Sequence, residues 1–332
     1  MIKRLTNTSA HALGLLAGLL ILPALPAQAQ SYPTKPIVMV VPFAAGGPTD
    51  ALARLTAEGM GKDLGQQIVV ENAGGAGGTI GSARVVRAPA DGYTLLFGHA
   101  GTHAAAVGLY KKLPYDPIND YEHIGEVGDA PQILVVKKTL PAKTLKEFID
   151  YTKANQKTMN FGTAGVGSAA YLGGVMLNAM LGTDVTPVHY RGAGPAMADV
   201  MAGQLDYMVD VSTTALAQIQ GGTVQPIAVL RSTRIAALPD LPATPEAGLP
   251  GVDFSVWNVV MAPKGTPKPV VDRLNQALRK TLADATVRER LKQFAIELPD
   301  EKRMTPEGTK AHMQAEIERW LPIIKATGVQ LD

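Results

Sequence analysis

Three segments of the chain place glycine and hydroxyl residues where a strand gives way to a helix. Val40-Val41-Pro42-Phe43-Ala44-Ala45-Gly46-Gly47-Pro48-Thr49-Asp50 runs from an apolar strand through a glycine pair into a helix with Pro48 in its first turn. Met159-Asn160-Phe161-Gly162-Thr163-Ala164-Gly165-Val166-Gly167-Ser168 repeats the arrangement in the other half, and Phe97-Gly98-His99-Ala100-Gly101-Thr102-His103 should emerge at the same edge as the first. In a parallel sheet such turns lie at the carboxyl ends of the strands, where open α/β sheets bind ligands. The free N–H groups and positive dipole end of a helix there attract an anion without any cationic side chain. Glycine also serves merely to make a tight turn. One loop alone would favour that plainer account; two similar loops in separate halves favour binding. The candidate contacts are Phe43, Ala44, Ala45, Gly46 and Gly47 from the first loop, Gly101, Thr102 and His103 from the third, and Thr163, Ala164, Gly165, Gly167 and Ser168 from the second.

Single side chains add to this set. His103, opening a helix at a strand end, is as readily a cleft donor as a satisfied structural histidine; His99 and His189 are not expected to touch a ligand. Ser168 reads as an N-cap, a role compatible with ligand contact. Asp210 ends a strand and either accepts from an ammonium or hydroxyl on the ligand or caps the next helix, and Arg191 has the chemistry of a carboxylate clamp. The histidines beyond residue 30, at 99, 103, 123, 189 and 312, show no zinc-ligand spacing, so no metal is expected. Gly165-Val166-Gly167-Ser168-Ala169-Ala170 fits a loose dinucleotide pattern, but Asp184 precedes the next strand instead of ending it. Gly75-Ala76-Gly77-Gly78-Thr79-Ile80-Gly81 misses that pattern by one position and no Walker lysine follows, so no cofactor is expected either. A hydrolase built on Ser168, His103 or His189, and Asp210 is the minor alternative, since Val166-Gly167-Ser168-Ala169-Ala170 lacks the nucleophile-elbow glycines. The chain is expected not to be an enzyme.

The elements that must hold these groups follow from periodicity. Short β-branched runs alternate with Ala-rich helical stretches from Pro36 onward, the pattern of α/β layers around a parallel sheet. Strands are predicted at Ile37–Pro42, Gln67–Val70, Thr94–Gly98, Ile133–Val136, Met159–Phe161, Val185–His189, Tyr207–Asp210 and Pro226–Leu230. After Thr266 the texture becomes long, charged and amphipathic, predicting helices at Pro267–Asp284, Ala285–Phe294 and Thr305–Thr327.

Residues 1–29 read as a cleaved secretory signal: Lys3 and Arg4, an apolar run from Ala12 to Leu22, then Ala27-Gln28-Ala29. The run is well short of the roughly 20 residues a spanning helix needs. Lys3 and Arg4 account for the whole net charge of +2, so the remainder is balanced and shows no basic cluster; no nucleic-acid partner is expected. The absence of cysteine in an exported chain removes disulfides and thiolate chemistry, leaving the core to hold the fold.

At these loops, and along nearly the whole mature chain, the sequence resembles the Bug family, the substrate-binding components of tripartite tricarboxylate transporters. The likeness runs through Tyr32-Pro33-Thr34-Lys35-Pro36-Ile37, the Pro42–Asp50 loop, Glu71-Asn72 with Gly74–Gly78, Ala88–Leu96, Leu113-Pro114-Tyr115-Asp116-Pro117, Tyr190-Arg191-Gly192, Pro245-Glu246-Ala247-Gly248 and Ala262-Pro263. It implies a two-lobed α/β Venus-flytrap fold, the type 2 periplasmic-binding-protein architecture with two crossover strands. The lobes expected from it are 30–131 with 253–332, and 132–252. The family further implies a periplasmic, monomeric receptor that takes a small carboxylate, largely through backbone amides, hydroxyls and water, and delivers it to membrane permease subunits. A ligand-sensing subunit of a signalling system shares that trap and differs only in partner. This mode of binding favours a surface role for Arg191, and Asp210 matches an acidic position facing the cleft. Gly98-His99, His189 and Val211-Ser212-Thr213-Thr214 depart from common family residues, which bears on ligand identity and not on fold.

Overall fold

The computed structural model describes residues 32–250, 254–326 and 328–331. The expected signal, residues 1–29, and the expected crossing near residue 252 lie outside the described residues. No helix among the described residues is long and apolar enough to cross a membrane.

Among the described residues, nine strands form one hydrogen-bonded sheet: β1 (Ile37–Val41), β2 (Ile68–Asn72), β3 (Thr94–His99), β4 (Tyr121–Val136), β5 (Asn160–Thr163), β6 (Thr186–His189), β7 (Tyr207–Val211), β8 (Gln225–Val229) and β9 (Ser255–Pro263). Their order is β2-β1-β3-β9-β4-β7-β5-β6, with β8 also on β4. The sequence predicts parallel pairing, and the structure confines it to the two flanks: β1 with β2 and β3, and β5 with β6 and β7. The central strands β4 and β9 run antiparallel to their neighbours. β1 is apolar throughout because it is covered on both faces: Ile37, Met39, Val40 and Val41 are all fully buried.

The helices are α1 (Pro48–Leu64), α2 (Thr79–Val86), α3 (Ala106–Leu109), α4 (Leu145–Asn155), α5 (Ala169–Leu181), α6 (Ala193–Met201), α7 (Ser212–Gln220), α8 (Lys268–Ala283), α9 (Ala285–Gln293) and α10 (Pro306–Ala326). α8 has the amphipathic pattern its sequence announces: Val271, Leu274, Ala277, Leu278 and Thr281 fall at three- and four-residue spacing and are buried, while Lys268, Arg279 and Lys280 face out. α4 begins with a capping box in which Thr144 Oγ1 accepts from Glu147 N at 3.2 Å and the Glu147 carboxylate accepts from Thr144 N.

β4 belongs to both halves. Tyr121–Pro131 pairs with β9, and from Gln132 onward the same strand pairs with β7, joined by β8 from Ile133. At the change of partner, Gln132 N donates to Phe254 O, Phe254 N to Leu230 O and Leu230 N to Gln132 O, so the two passages of chain are knitted together. Only the last four residues of β4, Ile133–Val136, are predicted from sequence, and β9 not at all. The first half contains Glu126, which would ordinarily mark an exposed face; here it is 1% exposed, held by Arg303 at 3.0 Å and His312 at 2.9 Å. A polar alternation therefore conceals a buried strand.

The cavity between the glycine-rich loops

α1, α5, α6 and α7 all start at the mouth of one cavity. Its wall contains the N-cap and first residues of α1 (Gly47, Pro48, Thr49), of α5 (Ser168, Ala169, Ala170) and of α6 (Gly192, Ala193), together with Val211, the N-cap of α7. Phe43, Ala44, His99, Ala164, Arg191 and Asp210 complete it. The space between the walls and at the opening is about 440 Å³, and the centre of a water molecule can occupy about 40 Å³ of the cavity. One ordered water needs roughly 10–15 Å³ on that measure, so the space suits a small solute.

The helix starts differ in what they already hold. In α1, Asp50 sits in the first turn and is 4% exposed; its carboxylate accepts from Gly46 N at 2.9 Å, Arg54 Nε at 3.0 Å and Asn72 Nδ2 at 2.9 Å. Burial alone would raise the Asp50 pKa, but these donors hold it below the usual carboxylate range. A resident anion therefore occupies much of the favourable field at that helix end. In α5, α6 and α7 the first turn has no acidic residue.

Asp210 ends β7 at the cavity wall and is fully buried. Oδ2 accepts from Thr214 Oγ1, while Oδ1 has no partner. Burial pushes its pKa up to about 6, against the pull of the Thr214 hydroxyl and the Val211 N–H. Arg191 also lines the cavity, is exposed, and forms no ion pair among the described residues. It is the cation in the wall and Asp210 the acid.

The predicted contacts separate into two groups. Phe43, Ala44, Gly47, Ala164, Ser168, Arg191 and Asp210 line the cavity. Ala45 and Gly46 do not, and the Gly46 N–H is bound to Asp50. Thr163 is buried behind the wall, its hydroxyl 2.8 Å from His189 Nδ1 and accepting from Gly165 N at 3.2 Å. Gly101 and Gly167 serve loop contact: an added Cβ on Gly101 would lie 2.8 Å from the Gly167 carbonyl, and one on Gly167 would lie 3.2 Å from Gly77. Thr102 is fully buried and bonded to both the N–H and the carbonyl of His99.

The histidines sort differently from expectation. His103 is fully buried between the rings of Tyr115 and Tyr121, and its Nδ1 lies 2.7 Å from Thr102 Oγ1. It is absent from the cavity wall, so Ser168, His103 and Asp210 do not converge as a hydrolytic set; Ser168 Oγ instead caps α5 by accepting from Tyr171 N at 3.3 Å. His99, not expected to touch a ligand, is a wall residue, stacked on Phe43 at 4.6 Å with the rings 12° from parallel. The local signal was Gly101, two residues on, whose N–H reaches back to the His99 ring at 2.8 Å.

A sheet whose central strands pass between two α/β halves, with helix starts from both halves around one cavity, is the two-lobed periplasmic-binding-protein fold. The comparisons agree. Residues 52–329 match the model of the "Tripartite tricarboxylate transporter family receptor". The structure of periplasmic binding protein BugD superposes with a TM-score of 0.87 at 42% identity, covering 90% of this chain and all of that one. MatC (Rpa3494) from Rhodopseudomonas palustris with bound malate superposes with a TM-score of 0.85 at 40% identity, covering 88% of this chain and all of the other. An Agrobacterium vitis protein, the "UPF0065 protein in the TAR-I ttuE-ttuC' intergenic region", is 42% identical over 303 residues, 91% of this chain and 87% of its own. The chain belongs to the tripartite tricarboxylate transporter receptor family, of the Bug type, whose members are solute-binding proteins and not enzymes.

Proposed function

We propose that this protein captures a small organic carboxylate in the periplasm, closes two lobes around it and delivers it to the permease subunits of a tripartite tricarboxylate transporter. The observation that carries the reading is the convergence of four helix starts and one unpaired guanidinium on a cavity whose wall contains a single acid. Helix N-termini favour anions, and the N–H groups of a first turn are free to bind them. The lobes are 30–131 with 253–332 and 132–252, and the hinge lies where β4 changes partner. Asp210 Oδ1, buried and unpartnered at the wall, favours a ligand that carries a hydroxyl or ammonium beside its carboxylate. The malate held by the R. palustris relative is of that kind.

Native mass spectrometry of freshly purified protein, followed by release and identification of the trapped molecule, tests the reading directly. A melting assay then compares that acid with its primary amide. At about 100 times its dissociation constant the acid should stabilise the fold by roughly 2.7 kcal/mol, a shift of a few degrees for a chain of this size. The amide at equal concentration should give almost none, and equal shifts would exclude recognition of an ionised carboxylate.

A further inference from the structure

His99 is the last residue of β3, and its ring is fixed from three sides. Phe43 covers one face, at 4.6 Å and 12° from parallel. The backbone on either side of the ring is pinned by Thr102 Oγ1, which bonds the His99 N–H at 3.1 Å and the His99 carbonyl at 3.0 Å. On the edge, Gly101 N donates to Nδ1 at 2.8 Å. A backbone N–H is always a donor, so Nδ1 must carry the lone pair, and a neutral ring then has its proton on Nε2. His99 is 2% exposed, and burial pushes its pKa down to about 4, so the ring is neutral in ordinary buffers. Nε2 has no partner among the described residues; unlike the Nε2 atoms of His103 and His123, it is not among the unpartnered polar atoms sealed from solvent, and its residue is part of the cavity wall.

We infer that His99 Nε2–H is a fixed single-proton donor from lobe one to the ligand, and that it selects an acceptor oxygen, carboxylate or keto, at that end of the molecule. The inference deepens the proposed function and rests on it. A neutral imidazole held in this tautomer donates and cannot accept, so an ammonium or an amide N–H facing it is rejected. Asp210 has the opposite character when ionised, accepting only; the residue lines the wall, with Oδ1 covered and unpartnered among the described residues. The two residues together orient the ligand: its acceptor end toward His99 and its hydroxyl or ammonium toward Asp210.

Two measurements on the full-length mature protein test this. Long-range proton–nitrogen correlation spectra of uniformly ¹⁵N-labelled protein should show His99 with a bare Nδ1 and a protonated Nε2; an Nδ1–H tautomer overturns the inference. Calorimetry is then run with malate, succinate, glutarate and adipate on wild type, His99→Phe and His99→Gln. His99→Phe keeps an aromatic ring against Phe43 and removes the donor, so affinity for the best-bound acid should fall roughly tenfold to a hundredfold. His99→Gln, which restores an N–H near the same position, should recover part of the loss. Carboxylate binding untouched by His99→Phe overturns this inference alone, whereas wild-type protein that neither carries a carboxylate on purification nor binds any of the four acids overturns the proposed function with it.

Discussion

The two walls of the cavity are built by opposite means. Lobe one contributes the start of α1, already occupied by its own Asp50 carboxylate, and a neutral imidazole. Lobe two contributes the starts of α5, α6 and α7, none with an acid in its first turn, plus the Arg191 guanidinium and the Asp210 carboxyl. The groups that would attract an anion are thus concentrated on lobe two, whereas lobe one offers a neutral imidazole. Similar glycine-rich loops in the two halves conceal this division. What distinguishes them is whether an acidic residue follows within the first helical turn: Asp50 does in one, and nothing does after Ser168 in the other.

The sharpest way to break the comparison is to keep the walls apart. Gly77 has φ +61°, and an added Cβ would lie 2.5 Å from the Val166 carbonyl oxygen across the cleft and 2.7 Å from Tyr110 Oη. Gly77→Val should therefore block the meeting of the loops while the cavity residues stay unchanged. The backbone strain is present with or without ligand and lowers stability by about 1–3 kcal/mol; the steric block acts on closure and should weaken binding by about a hundredfold or more. Small-angle scattering should show ligand compacting the wild type and leaving the variant unchanged. A variant that binds and compacts normally would show that loop contact is irrelevant to closure.

A matched pair of substitutions then compares one wall with the other. Arg191→Ala removes the wall's cation and leaves Asp210 facing the ligand's charge; calorimetry should show a loss of roughly ten- to a hundredfold, narrowing at high salt because the guanidinium is exposed. Gly47→Val alters the lobe-one helix start. Gly47 has φ −83° and ψ 174°, open to any residue, and an added Cβ meets only the Ala44 carbonyl at 3.5 Å. The residue with the left-handed backbone is its neighbour Gly46, at φ +78°. The valine crowds the approach to the Ala44 and Gly47 backbone without straining the fold, so the expected loss is below about tenfold. A greater loss at Gly47 than at Arg191 would reverse the assignment of roles.

Much of the architecture was legible because each element carries its own signal. Ser168 announces α5, and the uninterrupted apolar run of Ile37 to Val41 announces a strand. The central strands were not legible for a matching reason. Glu126 and His123 lie in β4 and are buried, but the partners of Glu126, Arg303 and His312, are distant in sequence, so local patterning reads the segment as irregular. The site shows the same limit. That the loops after Val41 and Thr163 reach a cavity is in keeping with their glycines and helix starts. Which of His99 and His103 faces it depends on the turn between them: the helix starting at Gly101 begins with a π-type segment and carries His103 under the strand, among Tyr115 and Tyr121. Four residues of separation contain no record of that rotation.

Asp210 offers the finest adjustment, because its charge can be removed while its shape is kept. Its folded pKa, raised by burial to about 6, lies above the ordinary carboxylate value of 3.8. Between those two values the folded protein holds a proton that the unfolded chain has released, so Asp210 makes stability fall as pH rises through that window. The cost is complete above about pH 7, at most about 3 kcal/mol from a shift of roughly two units, and absent below about pH 4. Asp210→Asn removes the charge and retains an oxygen for the Thr214 hydroxyl, but it introduces amide donors that only cavity water can satisfy. The net gain in the ligand-free protein should be about 1 kcal/mol at pH 8, a rise of about 2–4 °C in melting temperature. Melting curves of variant and wild type at pH 8, 7, 6, 5 and 4 should show the difference shrinking between pH 6 and 4 as wild-type Asp210 takes up its proton. The same substitution should weaken binding of a hydroxy acid more than of the corresponding unsubstituted acid, because the second ligand makes no use of Oδ1. A stability difference that stays flat across the whole pH range would mean that Asp210 does not titrate there, and that the lobe-two wall binds its anion without a buried charge opposing it.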